Sequence, residues 1–196
     1  MLSIIRLSPA IVATALLFAT MPAAAQRISD TKPPETFIAR AQVVGQEAGS
    51  TASVTIHITE YTSDRDRKTL EDALKIGGYP GFLPALRKAR DVGYIELNGR
   101  RTALRWARQQ AKAPSGRTIS VIGESPIFFV GGGAPDAKPR AGFELSVVLL
   151  NVDSIGLGSG SMAPAARVKP GGETGVQVED YGAQMVKLVT VSKELR

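Results

Sequence analysis

Cysteine is missing from all 196 residues, histidine occurs once, as His57, and tryptophan once, as Trp106. Each scarcity excludes something. Without cysteine there is no disulfide to brace the fold, no thiolate metal centre and no lipid-modified cysteine to act as an anchor. With one histidine, any Ser-His-acid triad must recruit His57, and a metal site would have to be built almost entirely from carboxylates. Long apolar runs are scarce as well. Beyond the N-terminus none approaches the roughly 20 residues that cross a hydrocarbon core.

The N-terminus itself reads as an export signal. Met1–Arg6 carries one positive charge, Ala10–Met21 is an apolar run without a charge, and Pro22-Ala23-Ala24-Ala25 supplies an Ala-x-Ala cleavage pattern before Gln26. The run is too short for a membrane anchor, so residues 1–25 are expected to be a signal peptide that is removed. The remaining 171 residues suffice to bury a core unaided and fit one domain. The expected location is the periplasm or the medium, with no transmembrane anchor after cleavage.

What is present is basic charge and strand patterning. Lys plus Arg number 24 against 18 Asp plus Glu, a formal net charge of +6 that falls to +5 when Arg6 leaves with the signal. Eight of those cations lie between Arg87 and Lys112, where the acids are Asp91 and Glu96 alone. In Ala52–Tyr61, apolar Val54, Ile56 and Ile58 alternate with Ser53, Thr55, His57 and Thr59, the period of a half-buried strand. The same alternation marks Phe37–Val44, Val92–Leu97, Arg101–Gln109, Arg117–Glu124 and Phe143–Asn151. It returns in Ile155–Val168, Val176–Glu179 and Gln184–Ser192.

Residues 26–36, with Pro33-Pro34, read as an extended lead-in, Gly45–Ser50 as a turn and Gly131–Gly142 as a loop after the short apolar run Pro126–Val130. Asn98-Gly99 is a strong hairpin signal. Between Tyr61 and Val92 the period changes. Ser63 and Asp66 resemble a capping box, and Leu70, Ala73 and Leu74 then follow at helical spacing up to Gly77-Gly78. Phe82, Leu83, Leu86 and Ala89 predict a second short helix. Residues 64–90 are therefore expected to be a helical pair inserted between strands, covering one end or edge of the sheet. Nine or ten short strands with one helical interruption predict a mainly β domain over 37–196, an antiparallel β-sandwich or a partly closed β-barrel.

Few constellations carry chemistry. His57 and Glu60 have a His-x-x-Glu spacing, but on a strand the two point to opposite faces. A hydrolase using His57 is thus one reading and a solvent-facing strand histidine the other. Gly123-Glu124-Ser125-Pro126-Ile127 begins like a nucleophile elbow without its closing glycine. Neither Gly131-Gly132-Gly133 nor Gly156–Gly160 has the remainder of a phosphate-binding motif. Asn151 and Asp153 open like a calcium loop whose twelfth position is Met162. No cofactor and no metal are called for.

The basic stretch is the one feature pointing to a partner. Tyr94, Arg101, Arg105, Trp106 and Arg108 are the candidate ligand-binding residues, since arginines beside aromatic rings grip anions and stack on flat groups. The alternative is a solvated outer face, because on a strand Arg101 and Arg105 lie opposite Arg108. Trp106, on the face of Leu104, reads as core with Leu104 and Phe143, or as the lining of a barrel cavity that holds one small molecule. The expected function is a non-enzymatic binding domain for a small ligand or an anionic envelope component, with a structural or protein-interaction module of the envelope as the alternative. Nucleic acid is a poor partner for an exported protein.

Several segments resemble a group of uncharacterised secreted bacterial proteins. They are Arg90-Asp-Val-Gly-Tyr-Ile95, Leu104-Arg-Trp-Ala-Arg108, Arg117-Thr-Ile-Ser-Val121 with Ser125-Pro-Ile127, Met162-Ala163, Val178-Glu-Asp-Tyr181 and Val186-Lys-Leu-Val-Thr-Val191. The likeness runs from about Phe37 to Lys193. It implies an exported single domain and transfers no catalytic residue.

Overall fold

A computed structural model of the chain describes residues 32–43, 51–127 and 139–194. The expected signal peptide, most of the lead-in, the Gly45–Ser50 turn and residues 128–138 lie outside the described residues. Among the described residues, nine strands and one helical element follow one another. They are β1 (Glu35–Val43), β2 (Thr51–Ile58), α1 (Asp64–Lys88), β3 (Gly93–Leu97), β4 (Arg100–Lys112), β5 (Gly116–Gly123), β6 (Leu145–Val152), β7 (Leu157–Pro170), β8 (Val176–Tyr181) and β9 (Val186–Lys193).

Every pairing is antiparallel. Neighbours run β1 to β7 through the sheet, β7 then pairs with β9, and β9 pairs back onto β1. The result is a closed eight-stranded antiparallel β-barrel, which leaves no edge open around the ring. Strand β8 is extra. It pairs with the far half of β7, so that Ala166–Pro170 and Val176–Tyr181 form a two-stranded hairpin extending beyond the ring.

The alternation in the sequence sets the inside of this barrel. Phe37, Ala39, Ala41 and Val43 from β1 and Val54, Ile56 and Ile58 from β2 all point inward and are buried. Ile95, Leu97, Ile119, Val121, Val148 and Leu150 complete the wall from the other side. Asn98 and Gly99 take positive φ of 51° and 75°, the paired left-handed geometry of a tight hairpin turn. In β7 the alternating glycines permit close approach. A Cβ on Gly158 would stand 1.9 Å from the Asn151 carbonyl oxygen.

Gly158→Ala is therefore expected to destabilise the protein by about 1–3 kcal/mol through overpacking. Gly77, helical and with nothing within 4 Å of an added Cβ, supplies the contrast. Gly77→Ala should stabilise by about 0.5–1 kcal/mol. Urea midpoints of the two variants check the pair, and similar shifts in both would remove the close-approach explanation.

Two expectations need correction. The helical insert is the expected pair, two helices run together across a kink at the non-helical Gly78 (φ 59°, ψ −158°), with Ser63 as the N-cap accepting from the Asp66 N–H, but its placement differs. It covers neither an end nor an edge. Leu70, Leu74, Tyr79, Phe82 and Leu86 instead pack on the outer face of the wall, against Trp106, Ile122, Leu145 and Val147 and across to Ala163 and Ala166. This explains why β6 is apolar on both faces, one turned to the barrel axis and one to the helix.

The second correction concerns β4. Its register slips between Leu104 and Trp106, a β-bulge at Arg105. Leu104 points into the barrel, but Trp106 comes out on the opposite side beneath α1, and Ala107 takes the inward place. The expected grouping of Trp106 with Leu104 and Phe143 does not form, because one extra residue reverses the alternation beyond it. Trp106 is nonetheless fully buried.

Candidate binding groove and the barrel's charged end

The five predicted binding residues are distributed rather than gathered. Tyr94 lies on the outer face of β3, stacked on His57 with ring centres 5.0 Å apart, and the Arg101 guanidinium covers it at 4.3 Å. Arg101 is also paired with Glu96. Arg105 bonds Glu124 at 2.7 Å and the Ala89 carbonyl at 3.1 Å, tying the end of α1 to the wall. Arg108 donates to Glu71 of α1 at 3.3 Å and to the Thr174 carbonyl at 2.9 Å. Trp106 is sealed beneath α1. Each of these three arginines thus has a carboxylate partner, Glu96 within the basic stretch, Glu124 beyond it and Glu71 of α1, which Arg67 and Lys75 share.

His57 is half-buried, and its Nδ1 is hydrogen-bonded to Thr36 Oγ1 at 2.9 Å. Asp91, Arg101 and Glu124 share the shallow surface around it. The hydrogen bond and the ring contact on His57 come from Thr36 and Tyr94, neither of them an acid.

Concavity occurs elsewhere. The β7–β8 hairpin folds back across the outer face of β5 and β6, and a groove of about 480 Å³ lies between them. Val147, Leu149 and Ala163 make its floor, and Val176 and Val178 stand beside them on the hairpin. Leu149 is 36 % exposed, a large apolar side chain left uncovered there. One end is closed by a polar chain. Lys112 Nζ donates to Asn151 Oδ1 at 3.3 Å, and Thr118 Oγ1 lies 3.2 Å from that same oxygen and donates to Glu173 Oε2 at 3.0 Å. Tyr181 lines the groove as well, and the Arg108–Thr174 bond holds the hairpin turn in place. The volume falls within the range of small-molecule sites, roughly 300–1,000 Å³.

A second constellation is buried inside one end of the barrel. Glu35 accepts from Arg117 in bidentate fashion, at 2.7 and 3.0 Å, from Lys193 at 2.8 Å and from the Tyr61 hydroxyl at 2.6 Å. Arg117 also donates to Gln109 Oε1 at 2.6 Å. Burial pushes the Glu35 carboxyl up, but the hydrogen bonds from Arg117, Lys193 and Tyr61 outweigh it and hold the group below its ordinary value. Burial and the adjacent Glu35 carboxylate push the Tyr61 hydroxyl well above the usual tyrosine range.

Sequence reasoning missed both constellations. The charged one had a signal: Glu35 continues the inward phase of Phe37 and Ala39, and Arg117 that of Ile119 and Val121. The groove had none, because its floor and the hairpin beside it meet only in three dimensions. Fold and site together define a closed antiparallel barrel with a helix and a hairpin on its outer wall and a partly apolar groove beneath the hairpin. No protein-family model, curated protein or solved structure matches the chain.

Proposed function

We propose that this chain is an exported, non-enzymatic binding protein that takes a small, elongated, partly apolar ligand in the groove beneath the β7–β8 hairpin. The observation that carries the reading is the uncovered Leu149 on an apolar floor, ending in the Lys112–Asn151–Thr118–Glu173 chain. A concave apolar surface with a few convergent polar groups at one end suits an amphiphile, with its hydrocarbon on the floor and its polar head at the chain. The sequence signals for export fit a carrier outside the cytoplasm. The barrel interior is packed by side chains such as Phe37, Ile56 and Ile119, so the outer groove is the better seat.

Native mass spectrometry of the protein from its own source should show a bound small molecule. With the purified protein, anilinonaphthalene sulfonate should gain fluorescence on binding. Leu149→Arg should weaken that binding at least tenfold while shifting Tm by no more than about 2 °C, since surface changes rarely exceed about 0.5 kcal/mol. Probe binding that is indifferent to Leu149→Arg would place the ligand elsewhere.

A further inference from the structure

Two arginines outside the stretch that the sequence singles out share one aromatic ring. Arg140 and Arg167 both hold their guanidinium groups over the Phe143 ring, 5.0 and 5.2 Å from its centre. Neither forms an ion pair among the described residues, whereas Arg90, Arg101, Arg105, Arg108 and Arg117 each have a carboxylate. Two carboxylates are close by, each accepting a hydrogen bond while keeping its charge. Glu144 accepts from the Tyr79 hydroxyl at 2.7 Å, and Asp180, opposite Arg167 across the β7–β8 ladder, accepts from the Tyr181 N–H at 2.8 Å.

The surroundings are shaped to this arrangement. Gly142 has φ of 89°, and a Cβ there would stand 3.2 Å from Arg167 Nη2. A Cβ on Gly182 would stand 2.7 Å from the Phe143 ring. Phe143 is 3 % exposed, so the ring is a buried support and the two guanidiniums cover it. Stacking on an aromatic ring orients a guanidinium while leaving its N–H donors directed outward. The two groups are no more than about 10 Å apart, because both stand over one ring. Arg87, in the last turn of α1, is within electrostatic reach of Glu144 and adds a third cation to the region.

We propose that Arg140 and Arg167, held on Phe143, form a binding site for a multivalent phosphate-containing anion. Planar, always-charged forks suit phosphate oxygens, and two forks at this separation suit an anion with more than one charged group. Its source is either a soluble polyanion or the headgroups of an anionic lipid surface. The site is independent of the groove ligand.

The test uses inorganic tripolyphosphate and, separately, phosphatidylglycerol vesicles at low salt. Arg140→Gln/Arg167→Gln should weaken tripolyphosphate binding at least tenfold, and Arg101→Gln/Arg105→Gln less than twofold, although both pairs remove the same charge. Vesicle binding lost in parallel identifies lipid headgroups as the source; vesicles ignored by the wild-type protein identify a soluble polyanion. Equal weakening by the two pairs, or no tripolyphosphate binding at all, would overturn the site. Should the first pair fail to fold, NMR of the wild-type arginine Nε–H groups decides. Shifts confined to Arg140 and Arg167 on adding tripolyphosphate support the site, and none there refutes it.

Discussion

Replacing Glu35 with alanine is expected to cost about 3–5 kcal/mol, the usual penalty for stranding a buried charge, and to lower Tm by roughly 6–20 °C. The Glu35 side chain has no exposed surface and the Arg117 side chain is 5 % exposed, so water does not take the place of the lost carboxylate. Lys193, at 20 %, can turn outward. Arg117 cannot, since Gln109 and Tyr61 would be left to satisfy it alone. Removing both ends should be milder. Glu35→Leu/Arg117→Met is expected to be more stable than Glu35→Ala, because a well-packed apolar pair leaves no buried ion pair to desolvate. Calorimetry of the three proteins checks this, and a Glu35→Ala variant that melts within about 2 °C of the parent would sink it.

The same carboxylate gives the protein an acid limb. Its folded pKa lies below its ordinary value of 4.5, so the folded state binds the proton less readily than the unfolded state. The stabilisation is therefore complete above pH 4.5 and is lost as pH falls through the folded pKa. Urea midpoints measured from pH 7 down to about pH 3 should drop for the parent below 4.5. The drop should be shallower in the double variant, which has no carboxyl at position 35.

The second large effect belongs to Trp106. Its truncation to alanine should cost about 3–5 kcal/mol, since the ring is fully buried where α1 meets the barrel wall. Trp106→Phe should cost under about 2 kcal/mol. The indole Nε1 has no hydrogen-bond partner among the described residues, so phenylalanine gives up ring volume but no hydrogen bond. As the sole tryptophan, it also reports on the docking of α1. In the parent, the denaturant transition followed by its fluorescence should coincide with that followed by far-ultraviolet circular dichroism. A fluorescence transition that runs ahead would show the helix leaving the barrel first. A cost below 2 kcal/mol for Trp106→Ala would mean that α1 is not held by this ring.

Much of this protein is determined by its sequence alone, and the reason is that side-chain alternation is local. Val54, Ile56 and Ile58 need only their own backbone to face one way, Asn98-Gly99 need only their own dihedrals to turn, and Ser63 caps a helix three residues away. The mainly β class, the hairpins and the helical interruption follow from such short-range rules. The tertiary structure decided the rest. Closure of the barrel by β9 on β1 joins opposite ends of the chain, and the helix takes the outer wall because only there does its apolar face meet Trp106 and Ile122. A single bulge at Arg105 turned Trp106 from the inside to the outside, and partners as distant as Glu71 and Glu124 paired with the arginines that had looked free. The groove exists only because the β7–β8 hairpin folds back over the wall, and Arg167 of β7 joins Arg140 on Phe143 only in three dimensions, through contacts between segments that no local pattern relates.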